Sequence, residues 1–193
     1  MTPDFNEFDL QPQLVRTIAD IGYAAPTPIQ STVIPAMLAG QDVIGQSQTG
    51  SGKTAAFSLP ILNNLQTGQR YVQSLVVTPT RELAIQVADA MVTYGRQTGV
   101  RVLAVYGGQP YDRQISHLKR GVQIVVGTPG RLLDHVSQKN VDLSQLEVLV
   151  LDEADRMLDM GFIPAVRKVI ARLPKKRHSL FFSATMPPVV EKL

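Results

Sequence analysis

The chain has 193 residues, 44% of them hydrophobic and 18% charged, with a formal net charge of +3 and no cysteine. That length and balance point to one well-buried globular domain; they exclude a disordered segment, disulfides and cysteine-held zinc. No run reaches the ~18 apolar residues of a membrane-spanning helix, Met1–Glu7 is too polar and acidic for a secretory signal, and the mild positive charge permits nucleic acid without demanding it.

In chain order, Leu14, Val15, Ile18 and Ile21 recur at helical spacing and predict a helix over roughly 10–21 that ends before Gly22. Pro28 opens a second helix through Leu38, with Pro35 as a kink candidate. Strand-like runs follow near 42–46, 74–78, 101–106, 122–126, 147–151 and 179–183. Helical stretches near 53–65, 80–95, 110–119, 130–138, 163–173 and 187–193 fill the gaps. This alternation predicts an α/β fold, a mostly parallel central sheet with helices on both faces. His117, His135 and His178 lack metal-ligand spacing and are assigned surface or capping roles. The run Lys175-Lys176-Arg177 reads as a solvated loop cluster.

The chemistry-bearing strings stand directly behind the strand runs. SQTGSGKT, Ser47–Thr54, follows Asp42-Val43-Ile44-Gly45. A Gly-rich loop ending in Lys-Thr exposes N–H groups to phosphate and opens a helix whose positive end faces the anion. Lys53 reaches the outer phosphates, and the Thr54 hydroxyl is placed to coordinate Mg²⁺. Ser47 stands where the strict pattern has Gly, a small residue that still allows the turn. The alternative, an ordinary surface turn, does not account for Gly50, Gly52, Lys53 and Thr54 in register between strand and helix. Behind Val148-Leu149-Val150-Leu151 comes Asp152-Glu153-Ala154-Asp155, which supplies a carboxylate for the metal and another for an attacking water. An acidic helix start over a short core face of Met157, Leu158 and Met160 is the competing reading. Three carboxylates in four residues at a strand end nevertheless need a cation or a partner. Thr78-Pro79-Thr80-Arg81-Glu82, Gly107-Gly108, Thr128-Pro129-Gly130-Arg131 and Ser183-Ala184-Thr185 also follow strands, so one edge of the sheet gathers the functional residues.

With Gly22-Tyr23-Ala24-Ala25-Pro26-Thr27-Pro28-Ile29-Gln30 added in front, these strings stand in the order of the DEAD-box RNA helicases, and the chain resembles their first RecA-like domain over nearly its whole length. The resemblance implies a RecA-like P-loop domain over 1–193 with the adenine-reading Q motif included, and a second RecA-like domain absent: no HRxGR string is present. It implies ATP and Mg²⁺ as cofactors, and RNA and the missing second domain as partners, with no membrane. Nucleotide contacts fall to Phe5, Tyr23, Thr27, Gln30, Gln48, Thr49, Gly50, Ser51, Gly52, Lys53 and Thr54. Phe5 would stack on adenine and Gln30 would pair with its N6/N7 edge, while Phe8 packs. Catalytic roles go to Lys53, Asp152, Glu153 and Asp155, the last linked to Ser183 and Thr185, and Mg²⁺ goes to Thr54 and Asp152, partly through water. RNA contacts fall to Thr80, Arg81, Gly107, Gly108, Thr128, Gly130 and Arg131. None of these reads a base edge, so sequence-independent backbone binding is expected; Arg81 and Arg131 taken alone could equally form salt bridges within the domain. The implied function is ATP-dependent RNA unwinding in the full-length protein, with little activity in this part alone. The alternative is an ATP-gated RNA clamp or scaffold, or a DNA-directed relative. A cytoplasmic location is expected from the absent signals and cysteines.

Overall fold

The computed structural model describes residues 4–46, 48 and 50–192, with the side chains of Val190 and Glu191 excepted. Six strands form one sheet in the order β1-β6-β5-β2-β4-β3. They are β1 (Val43–Gln46), β2 (Ser74–Val77), β3 (Val102–Val105), β4 (Ile124–Gly127), β5 (Val148–Leu151) and β6 (His178–Ser183). Every pairing is parallel, with registers such as Val77↔Gly127 and Leu151↔Phe181. This is the expected α/β architecture, with the sheet wholly parallel rather than mostly so.

A parallel sheet is buried on both faces, which is why SLVV, IVVG and VLVL read as unbroken apolar runs. Their alternation sorts two cores. Val76, Ile124, Val126, Val150, Leu180 and Phe182 face α1 (Pro12–Asp20), α2 (Pro28–Leu38), α3 (Lys53–Asn64) and α4 (Arg81–Tyr94). Leu75, Val77, Val125, Leu149 and Leu151 face α6 (Pro129–Ser137), α7 (Ala154–Asp159) and α8 (Ile163–Ile170), with α5 (Tyr111–Arg120) packed alongside through Leu118. Truncating one of these fully buried leucines, Ile124 or Phe182 to Ala would cost about 2–5 kcal/mol.

Element boundaries differ from the sequence reading by a residue or two, except α8, which stops at Ile170. Helix α2 runs through Pro35 to Leu38 as one α-helix. A final turn, α9 (Pro188–Glu191), lies within the last predicted helix. Two side-chain assignments are corrected. His135 is 1% exposed and sits inside the second core's edge, not on the surface. Met160 is exposed, so the core face of α7 is Met157, with Leu158 partly buried. Lys175 and Lys176 are exposed, and Arg177 donates to the Pro174 carbonyl at 2.7 Å, as a solvated loop cluster would.

Candidate active site and nucleic-acid interface

The turn between β1 and α3 is built on left-handed glycines. Gly50 and Gly52 adopt φ of +82° and +91°. A Cβ on Gly52 would stand 2.6 Å from Gln30 Nε2 and 2.9 Å from Thr27 Oγ1. No other residue fits there, because both space and backbone angle exclude a side chain. Gln48 is exposed at this turn, whereas Thr49 and Ser47 lie outside the described residues.

Lys53, the first residue of α3, is 7% exposed, and its Nζ lies 3.6 Å from Oδ1 of Asp152. Asp152 follows β5, is itself 2% exposed, and its backbone N–H donates to the Val77 carbonyl at 3.0 Å. At 3.6 Å the pair attracts electrostatically but is too long to share a hydrogen bond, and Oδ1 has no hydrogen-bond partner. Burial pushes the Asp152 carboxyl above its ordinary range, and the Lys53 ammonium opposes that rise. An orphaned, desolvated carboxylate oxygen beside a phosphate loop fits a hydrated Mg²⁺, which takes one or two carboxylates and completes its shell with phosphates and water. Among the described residues no group of three or more His, Cys, Asp or Glu side chains converges on a metal position. Asp152 and Thr54 would therefore hold the ion jointly with nucleotide.

Tyr23, Gly50, Lys53, Thr54, Asp152 and Glu153 line a cleft of about 350 Å³. Its opposite wall is α4, through Leu83, Gln86, Val87, Ala90 and Tyr94. The Tyr23 and Tyr94 hydroxyls share a hydrogen bond of 2.8 Å with the rings edge-on, and burial followed by this bond pushes the Tyr94 phenol upward. Thr27, Gln30 and Phe5 stand behind this cleft rather than on its wall. Gln30 is wholly buried; its Oε1 accepts from the Thr27 N–H at 2.9 Å and its Nε2 donates to the Gly52 carbonyl at 3.1 Å. The Thr27 hydroxyl donates to the Ser51 carbonyl at 2.9 Å. Phe5 is 3% exposed and edge-on to both Phe8 and Tyr23. The amide of Gln30 thus links the start of α2 to the glycine loop, and Phe5 packs edge-on against Tyr23.

Glu153 lines the cleft from a left-handed backbone, φ +53°, which for a residue with a Cβ costs about 1–2 kcal/mol. Its Oε2 lies 3.2 Å from Arg156 Nη1. Asp155 is tied to the end of β6: its N–H donates to Ser183 Oγ at 3.0 Å, and its Oδ2 accepts from both the N–H and the hydroxyl of Thr185 at 2.9 Å. Partial burial would raise the Asp155 carboxyl, but the hydrogen bonds from Thr185, Ser183 and the Arg156 N–H outweigh it and hold it below its ordinary value.

On the other half of the sheet edge, β2, β4 and β3 deliver Thr80 and Arg81, Thr128 to Arg131, and Gly107-Gly108. Thr80 Oγ1 caps α4 by accepting from the Leu83 N–H. The Arg81 guanidinium lies 5.2 Å from the Tyr106 ring centroid, and Arg131 lies 5.2 Å from that of Tyr111. Neither arginine pairs with a carboxylate among the described residues, so the salt-bridge alternative for both fails. Gly107, Gly108 and Gly130 are exposed.

The DEAD/DEAH box helicase family model matches residues 27–193. The chain belongs to this family. It is 52% identical over 190 residues to the ATP-dependent RNA helicase DeaD of Klebsiella pneumoniae, covering 98% of this chain and 30% of that protein. It is 48% identical to the protein of that name from Mycobacterium tuberculosis (strain ATCC 25618 / H37Rv), covering 98% and 34% respectively. A solved DEAD box protein from the hyperthermophile Methanococcus jannaschii superposes with a TM-score of 0.95 at 39% identity, over 98% of this chain and 52% of that one. The chain thus spans about a third of the curated DEAD-box relatives it matches. Sequence reading missed the α4 wall of the DEAD-box cleft. Its signal was there: 83, 87, 90 and 94 recur at helical spacing on one face.

Proposed function

We propose that this chain is the ATP-binding domain of an ATP-dependent RNA helicase. The carrying observation is the buried Lys53–Asp152 pair at 3.6 Å with an unbonded carboxylate oxygen, at the end of a cleft walled by Tyr23 and Tyr94. The loop N–H groups and Lys53 bind the phosphates, Thr54 and Asp152 hold Mg²⁺, and Glu153 orients the attacking water. Bound there, Mg²⁺ supplies charge neutralisation to the phosphate oxygens. Phe5, Tyr23, Thr27 and Gln30 set the base end, and Gln48, Thr49, Gly50, Ser51 and Gly52 form the loop. Asp155, through Ser183 and Thr185, carries nucleotide state to β6.

RNA lies along Thr80, Arg81, Gly107, Gly108, Thr128, Gly130 and Arg131, held by its backbone without base reading. Turnover and strand separation rest on a second RecA-like domain that supplies an arginine to the transition state, an effect of about a thousandfold or more. A cytoplasmic location agrees with a cysteine-free chain, and no helix of the described residues is long and apolar enough to cross a membrane. Titration of MgADP, MgATP and MgGTP into the chain by calorimetry tests the nucleotide assignment. Adenine-selective binding is expected, and equal binding of GTP would remove the base assignment. ATP-dependent unwinding of an RNA duplex by the full-length protein is the second measurement; RNA retention without strand separation would make it a clamp instead.

A further inference from the structure

Behind the RNA-facing half of the edge lies a buried polar cluster that the nucleotide chemistry does not use. Gln114 of α5 is 1% exposed, and all its amide capacity is engaged, its second Nε2–H reaching Gln109 Oε1 at 3.4 Å. Its Nε2 donates to the Tyr106 carbonyl at 3.0 Å, and its Oε1 faces Arg131 Nη1 at 3.2 Å and His135 Nε2 at 2.8 Å. A carbonyl only accepts and a guanidinium only donates, so the orientation of this amide is settled by its partners. Oε1 is then the acceptor for His135 as well, which places the imidazole proton on Nε2. Nδ1 is left to accept from Asn140 Nδ2, 3.5 Å away, the same amide that donates to the Tyr111 hydroxyl at 3.1 Å.

Tyr111 lies flat on His135, with centroids 4.4 Å apart and planes 1° from parallel, and carries the Arg131 guanidinium on its ring. Arg131 also donates to the Gln109 carbonyl at 3.3 Å, and the Gln109 amide donates to the Tyr106 hydroxyl, whose ring sits under Arg81. Thus a single buried amide joins the turn that bears Gly107-Gly108 to the helix that bears Arg131. The charged groups around His135 are Arg131 and Asp134 of its own helix; with Leu75, Val105, Val125, Leu118, Val141 and Leu143 it lines a small apolar cavity. Burial first, then Arg131, hold the imidazole below its usual value, so it stays neutral as the tautomer requires.

We infer that Gln114 and His135 are positioning residues for RNA: they touch no RNA, and they hold Arg131 and the Tyr106–Gln109 turn in one binding geometry. This rests on the RNA assignment of the preceding subsection. The test is the affinity of the chain for fluorescein-labelled oligouridine, by anisotropy at low salt, for Arg131→Ala, Gln114→Ala, their double variant and His135→Phe, which keeps the stack on Tyr111 but loses the N–H donor. Gln114→Ala is expected to weaken RNA binding about tenfold, the scale of a lost hydrogen bond to a charged group, and His135→Phe about fivefold, the scale of one between neutral groups. The double variant should lose less than the product of the two single losses, because the amide acts in part through the guanidinium. Nitrogen-15 NMR should show His135 as the Nε2–H tautomer, and a tautomer mixture in Gln114→Ala.

Multiplicative losses in the double variant, full RNA affinity in Gln114→Ala, or an Nδ1–H tautomer in the parent chain would overturn the inference. Unchanged RNA affinity in Arg131→Ala would remove the RNA assignment itself, and the inference with it. MgADP affinity, measured at the far half of the sheet edge, reports whether each variant is folded; if Gln114→Ala loses it, His135→Phe decides.

Discussion

Gln30 Nε2 donates to the carbonyl oxygen of Gly52 at 3.1 Å, so the residue expected to read adenine also braces the phosphate loop. Its Oε1 holds the Thr27 N–H in the same arrangement. Gln30→Ala therefore leaves the part-buried Thr27 N–H without its partner and the Gly52 carbonyl with only the Ala56 N–H, at 3.1 Å. The nucleotide-free chain should lose about 1–3 kcal/mol of stability in urea denaturation. Unchanged stability with weakened ADP binding would mean that Gln30 acts on the base alone.

Lys53 and Asp152 are buried together, and removing the lysine leaves an uncompensated carboxylate. Lys53→Ala should abolish MgADP binding by calorimetry and push Asp152 further up in pH. In the parent chain the Asp152 carboxyl is already raised by burial. Mg²⁺ and nucleotide need it ionised, so affinity should fall as pH drops through its raised value in the free protein, and binding in that range should release a proton. Calorimetry in buffers of different ionisation enthalpy reads this release directly. Affinity that is constant or rises toward acid would contradict it.

Asp155 titrates in the opposite sense. Its carboxyl is lowered in the folded state by the hydrogen bonds from Thr185 and Ser183, against the opposing effect of burial. A depressed carboxylate contributes stability that is present above its unfolded value and lost as pH falls through the folded one. Thr185→Val removes the hydroxyl bond but keeps the N–H bond, and is expected to cost about 1 kcal/mol near neutral pH and less in acid. Equal losses at both pH values would exclude the link.

The left-handed backbone of Glu153 is a local strain that glycine would relieve. Glu153→Gly should leave the fold as stable as before or up to about 1 kcal/mol more so, less whatever the exposed Arg156 pair contributes. In the full-length protein, ATP turnover should be abolished. A variant that is destabilised and still turns over ATP would reverse both assignments.

Much of this was legible in the chain. The strand runs stand out because a parallel sheet buried on both faces requires unbroken apolar residues, and the loop and acidic strings were legible from their place directly behind those runs, at the carboxyl ends of the strands. The α4 wall was legible too, as a helical periodicity, but nothing local says that it faces a cleft. His135 was misplaced because a histidine in an amphipathic helix carries no mark of its partner on another element.

The sequence by itself determined the parallel α/β class, the ordered functional strings and the family, all of which rest on local patterns of burial and backbone chemistry. Only the tertiary structure decided which strings meet. The order β1-β6-β5-β2-β4-β3 sets β1, β6 and β5 side by side, gathering Lys53, Asp152, Asp155 and Thr185, and leaves β2, β4 and β3 to carry Arg81, Arg131 and the paired glycines. Strand neighbours, buried amide partners and imidazole tautomers are fixed by contacts between distant segments, and no local propensity encodes them.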